Sequence, residues 1–105
     1  MSRVAGPWSD SLEREFVVAS LVLRDGPWCH YCRERLSKRL WRRTVDHVWP
    51  QSRGRINALW NLVLACPGCN VARGVDLDAC HCAFCTTAIR LGSTLVATLP
   101  TPVPV

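Results

Sequence analysis

The sequence predicts a small α+β fold, and three observations carry that expectation. Two C-x-x-C pairs, Cys29/Cys32 and Cys66/Cys69, share one spacing and bracket the middle of the chain. Between them lie two short runs rich in β-branched and aliphatic residues, Thr44-Val45-Asp46-His47-Val48 and Leu62-Val63-Leu64-Ala65, of the kind that forms strands. The second run leads directly into Cys66-Pro67-Gly68-Cys69, where a proline near the start and Gly74 past the end mark a short helix. The order is therefore strand, loop, strand, helix.

Taken from the N-terminus, residues 1–8 look loose. From Asp10 to Arg24 the apolar positions Leu12, Phe16, Ala19 and Leu23 recur at three- and four-residue steps, and Asp10 with Glu13 resembles an N-terminal capping pair, so a helix is expected there. Gly26-Pro27 ends it, while Val17-Val18 and Leu21-Val22-Leu23 leave a strand as the alternative. Residues 33–43 read as a basic helical turn or an irregular arm. Pro50 closes the first strand, and a Ser/Arg/Gly/Asn loop follows through Asn57. The short helix runs from Pro67 or Gly68 to Arg73. A further helix is expected from Asp76 or Asp78 toward Arg90, with Leu77, Phe84, Ile89 and Leu91 available for packing. After Gly92 the Pro-rich end, with Pro100, Pro102 and Pro104, suggests an extended tail. This gives one domain over 1–92, a motif core at 28–74, and a tail at 93–105.

A chain of 105 residues buries only about two-thirds of its unfolded surface, so its core is modest and a metal staple would help. No uninterrupted apolar stretch approaches the roughly 20 residues of a membrane span. Asp10, Glu13 and Glu15 precede the first apolar run, which is not a signal-peptide pattern. The expectation is a cytoplasmic protein, and in a reducing compartment paired cysteines favour metal over disulfide. The net charge of +5 is unevenly spread: residues 33–73 hold nine Arg or Lys against two acids, and the rest of the chain four against six. Arg39, Arg42 and Arg43 lie in the densest basic stretch, with Arg53, Arg55 and Arg73 nearer the motif. Such a surface attracts a polyanion such as DNA or RNA, although a charge run by itself is equally a solvated helix face.

The cysteine spacing carries the first chemistry. Two C-x-x-C turns deliver four thiolates to one tetrahedral ion, so Cys29, Cys32, Cys66 and Cys69 are expected to form a closed structural zinc site. Asp46, His47, Asn61 and Asn70 suggest the second. A carboxylate and an amide oxygen are hard ligands suited to Mg²⁺ or Mn²⁺, and a neutral histidine can take a proton from water near pH 7. Together they would make a one-metal site for phosphodiester hydrolysis. Consecutive strand residues point to opposite faces, so bringing Asp46 and His47 to one centre requires a twist or a strand end.

These residues carry a family resemblance. The run from Val45 through Asp46-His47 to Gly54, then Asn61-Leu62, then Cys66-Pro67-Gly68-Cys69-Asn70-Val71-Ala72-Arg73-Gly74, resembles the HNH endonuclease family in the form whose third position is Asn. It is especially similar to small, free-standing, phage-type members with two flanking C-x-x-C pairs. The resemblance implies a ββα-metal fold that cuts DNA with a divalent cation. It further implies that Asp46 and Asn70 are metal ligands, that His47 is the general base, and that Asn61 pins the loop between the strands and so orients the base. Arg73 stands where the family often has Lys, and a phosphate contact would suit either. A genome-packaging terminase is the partner implied by phage-type relatives, with the host cytoplasm as the setting. The alternative is a non-catalytic zinc-stapled module that binds nucleic acid or docks on a terminase.

Two departures from the pattern stand out. Arg55-Ile56-Asn57 follows Gly54 where a second Gly is common, and a basic, Trp41-containing stretch replaces the short hairpin often found before the Asp-His strand. Trp49 and Trp60 are expected to fill the core. Cys80, His81, Cys82 and Cys85 form another cluster, with Cys82 and Cys85 again spaced C-x-x-C; three thiols and an imidazole could bind a second zinc, but on a helix Cys80 and Cys82 would point to different sides, so buried or free thiols are the favoured reading. His30, inside the first C-x-x-C turn, is expected to be exposed, and to substitute as a ligand only if one of the four cysteines were not one.

Overall fold

In the computed structural model, residues 11–37 and 44–98 are described. Expectations for the N-terminal segment, for Arg39, Trp41, Arg42 and Arg43, and for residues 99–105 fall outside them. The main elements are helix α1 (Ser11–Asp25), strands β1 (Thr44–His47) and β2 (Leu62–Ala65), with 3-10 turns at Gln51–Arg53 and Leu59–Asn61 between them, and helices α2 (Pro67–Arg73) and α3 (Ala83–Thr98). The strands pair antiparallel, with Thr44 opposite Ala65 and His47 opposite Leu62. With α2 following β2 after one residue, this is the small α+β arrangement expected.

β2 is buried along its whole length, and its uninterrupted apolar sequence follows from that. Leu62, Leu64 and Ala65 pack with Val17, Val18 and Leu21 of α1 and with Cys29 and Leu36. Val63, on the opposite face, packs with Val48 and with Cys85 and Ala88 of α3. Covering both faces of one short strand gives a small domain two linked apolar clusters. Arg24 joins the first cluster to the strand edge, donating to the carbonyls of Leu59 at 2.7 Å and Leu62 at 2.8 Å.

α1 forms where periodicity placed it but buries the other apolar stripe. Phe16 is 74% and Leu23 88% exposed, and Ala19 also faces outward, whereas Val17, Val18 and Leu21 are buried. Val17, Val18 and Leu21, from the clusters that left a strand as the alternative, are the residues that pack against β2. Gly26 ends the helix at φ 87°, a conformation that disfavours a side chain.

α3 corrects the expectation at both ends. The chain after α2 is held in turns, with Asp78 N donating to Asp76 Oδ1 at 2.9 Å, an Asx turn that competes with helix. The helix therefore begins at Ala83 and then continues through Gly92 to Thr98, so residues 93–98 are helical rather than an extended tail. Tertiary packing overrides glycine's poor helix propensity: a Cβ at Gly92 would lie 2.4 Å from Cγ of Trp49. Cys85, Ala88 and Gly92 form the buried face, Phe84 and Ile89 pack beside it, and Leu91 is exposed. Trp49 is buried and Trp60 flanks the second cluster, as expected. No helix among the described residues is long and apolar enough to cross a membrane.

Candidate functional site

The four cysteines of the two C-x-x-C pairs converge: the sulfurs of Cys29, Cys32, Cys66 and Cys69 lie within 4.8 Å of one another. Each pair closes a turn in which the backbone N–H of the second cysteine donates to the sulfur of the first, Cys32 N to Cys29 Sγ at 3.5 Å and Cys69 N to Cys66 Sγ at 3.4 Å. Cys66 is thereby the N-cap of α2, with Pro67 in the first turn. His30 N donates to Leu64 O at 2.8 Å, so the first turn is bonded to β2. Burial pushes the Cys29 thiol up, but N–H donors from Cys32, Cys66 and Tyr31 outweigh it and bring its pKa down to about 6. The Cys66 sulfur in turn pushes the Cys69 thiol up to about 12, and the Cys32 thiol is also raised, so the fit to a metal rests on the convergence of the four sulfurs. The donor set therefore fits a structural metal.

Next to this cluster, Asp46 and His47 from β1 and Asn70 from α2 line one cleft of about 320 Å³, together with Pro50, Gln51 and Ser52. Strand alternation does not separate Asp46 from His47, because His47 is the last residue of β1 and the chain bends immediately after it. Asn70 uses its amide nitrogen inward, on Thr44 Oγ1 at 3.1 Å and Val45 O at 3.4 Å. Its Oδ1 accepts no hydrogen bond from the described residues. Asp46 is buried and receives the Tyr31 hydroxyl on Oδ2 at 2.5 Å and the Arg73 guanidinium at 3.3 and 3.4 Å. Burial raises the Asp46 pKa, and Tyr31, Arg73 and His47 act against that rise. Burial likewise raises the pKa of Tyr31, which stays a donor.

The loop between the strands holds the His47 ring. Nε2 of His47 lies 2.8 Å from Oδ1 of Asn57. A carbonyl oxygen only accepts, so Nε2 carries the hydrogen and Nδ1 the basic lone pair. Burial lowers the His47 pKa from its ordinary value, partly offset by Asn57 and Asp46, which favours the neutral ring. Asn57 is itself placed by Asn61, which is fully buried: its Oδ1 accepts from Trp49 N at 2.7 Å, and its Nδ2 donates to Trp49 O at 3.2 Å and Ile56 O at 2.9 Å. One asparagine thus staples the start of the loop to its end and fixes the residue before Asn57. Tyr31 and Asn57 were not singled out from sequence. The only sequence signal for either was position, inside the first C-x-x-C turn and in the unusual loop segment.

The arginines divide. Arg73 was expected to reach phosphate, but it is 7% exposed, and its guanidinium bonds Asp46, His47 O at 2.8 Å and Val48 O at 2.5 Å. Helix α2 points it inward because two carbonyls at the end of β1 and a buried carboxylate all need donors. Arg53 and Arg55 are exposed on the loop, and Arg55 is close enough to contribute to lowering the His47 pKa.

A second group also differs from expectation. His30 is half-buried, and its Nε2 faces Cys80, Cys82 and Cys85 rather than solvent. His81 is exposed and takes no part. Because α3 starts at Ala83, Cys80 and Cys82 precede the helix, and the objection that they would point to different sides does not arise.

Residues 29–76 match the family model of the HNH endonuclease. No curated protein and no solved structure matches the chain.

Proposed function

From the HNH endonuclease domain that residues 29–76 form, we propose that this chain hydrolyses phosphodiester bonds of DNA with one Mg²⁺- or Mn²⁺-type cation, on a scaffold held by zinc at Cys29, Cys32, Cys66 and Cys69. The observation that carries the reading is the single cleft shared by Asp46, His47 and Asn70. Its oxygen donors fit a hard cation: Asn70 Oδ1 is uncommitted among the described residues, and the carboxylate of Asp46, with about four lone-pair positions, has capacity beyond Tyr31 and Arg73. Bound there, the ion would polarise the scissile phosphate and stabilise the leaving oxygen.

In this reading His47 takes a proton from the attacking water at Nδ1, while Asn57 holds the ring through Nε2–H. Asn61 acts through the loop as a positioning residue. Tyr31 and Arg73 hold the buried carboxylate of Asp46 in place and work against the rise that burial gives its pKa. Arg53 and Arg55, with Arg39, Arg42 and Arg43 outside the described residues, would supply the salt-sensitive attraction to the DNA backbone. A terminase large subunit is the partner class to test by co-purification.

The decisive experiment is cleavage of supercoiled plasmid across divalent metals. His47→Ala should lower the rate by about 100-fold or more, the usual scale for a lost general base, with zinc content and circular dichroism unchanged. Wild-type cleavage by that variant would remove His47 from the mechanism. DNA binding without cleavage in any metal would favour the non-catalytic module.

A further inference from the structure

We propose that His30, Cys80, Cys82 and Cys85 bind a second structural zinc ion, which fastens the start of α3 to the turn between Cys29 and Cys32. The proposal is independent of nuclease activity. The four ligand atoms lie within 4.8 Å of one another. Nε2 of His30 is 3.8 Å from Cys80 Sγ, 3.4 Å from Cys82 Sγ and 3.3 Å from Cys85 Sγ. With Zn–S near 2.3 Å and Zn–N near 2.05 Å, a tetrahedral site separates nitrogen from sulfur by about 3.6 Å. The observed distances bracket that value.

The backbone supports the same conclusion. Cys85 N donates to Cys82 Sγ at 3.4 Å, which repeats the N–H to sulfur turn found at Cys29/Cys32 and Cys66/Cys69. That turn holds two sulfurs on one side, ready for one ion. Disulfides account for the group poorly: three thiols leave one unpaired, and none of the three possible pairings explains an imidazole nitrogen aimed at all three. Simple core filling explains it no better, since Cys85 alone of the four is fully buried.

The location gives the ion its structural role. His30 stands between Cys29 of the first cluster and Tyr31, whose hydroxyl holds Asp46. One four-residue turn then serves two zinc ions and the Asp46 carboxylate. At its other end α3 supports the loop that carries Asn57, through Gly92 against Trp49 and Val96 against Gly54. Anchoring the start of α3 thus steadies both supports of the cleft.

Zinc counting on protein purified from zinc-supplemented medium under reducing conditions tests this. Two equivalents per chain are expected for the wild type and for His81→Ala, and one for His30→Ala and Cys82→Ser. His30→Cys should restore two, and after cobalt substitution should show stronger thiolate-to-metal charge transfer than the wild type. Hydrogen exchange in α3 should quicken in His30→Ala. One equivalent in the wild type, or two retained by His30→Ala, would overturn the proposal. If His30→Ala fails to fold, the wild-type count and His30→Cys decide the question.

Discussion

Arg73 shows how a single side chain can serve the fold while looking, in sequence, like a contact for substrate. Its guanidinium meets Asp46 and the carbonyls of His47 and Val48 in a buried setting. Arg73→Ala would leave a buried carboxylate without its cation and two carbonyls without donors, so a loss of about 3 kcal/mol or more is expected. Urea denaturation measures it. The opposite pattern, unchanged stability with weaker DNA binding, would return Arg73 to the phosphate-contact role. Asn57 makes a separate prediction. Asn57→Ala should reduce cleavage by about 10-fold, roughly the 1.4 kcal/mol of one oriented hydrogen bond, with metal dependence unchanged. A fall caused only by weaker cation binding would mean that Asn57 does not position His47. At this scale the sequence was informative where a residue's chemistry is set locally, as at the C-x-x-C turns. Tyr31 and Asn57 were missed because their roles depend on Asp46 and His47, residues distant enough that only folding brings the partners together.

Elements show the same division between local and non-local information. β1, β2 and α2 were legible because strand composition, the Pro67 start and the Gly74 stop are local signals. The buried face of α1 was not, because two apolar stripes compete and the choice rests on which one fits β2. The extent of α3 was not, because Gly92 stops helices in isolation but here admits Trp49. Gly92→Ala tests that contact. In an exposed helix this change would stabilise by up to about 1 kcal/mol, yet the new Cβ would sit 2.4 Å from Trp49 Cγ. Overpacking of this kind costs about 1 to 3 kcal/mol, so the clash wins and the denaturation midpoint should fall. Cleavage should fall with it, because Trp49 is bonded through its backbone to Asn61 and hence to the loop that holds Asn57. A stabilised variant with full activity would show that α3 does not press on this loop.

At the scale of the whole molecule, the two short strands and three α-helices among the described residues enclose two small clusters, and apolar burial on that scale leaves little margin against chain entropy. Structural zinc binding supplies on the order of 10 kcal/mol, as much as the entire net stability of about 5 to 15 kcal/mol typical of a domain. Removing metal with a strong chelator should therefore do more than empty a site. Cys29 belongs to the first cluster and Cys85 to the second, so each group of cysteines reaches directly into the packing. The expected result is loss of the near-ultraviolet circular dichroism and of cooperative thermal unfolding, with recovery on adding zinc but not magnesium. Magnesium fails because thiolate sites favour softer ions, whereas the oxygen donors of the cleft favour hard ones. Cleavage should obey the opposite rule, requiring magnesium or manganese only after zinc has restored the fold. A chelated chain that keeps its cooperative transition would show that apolar packing alone sustains this structure.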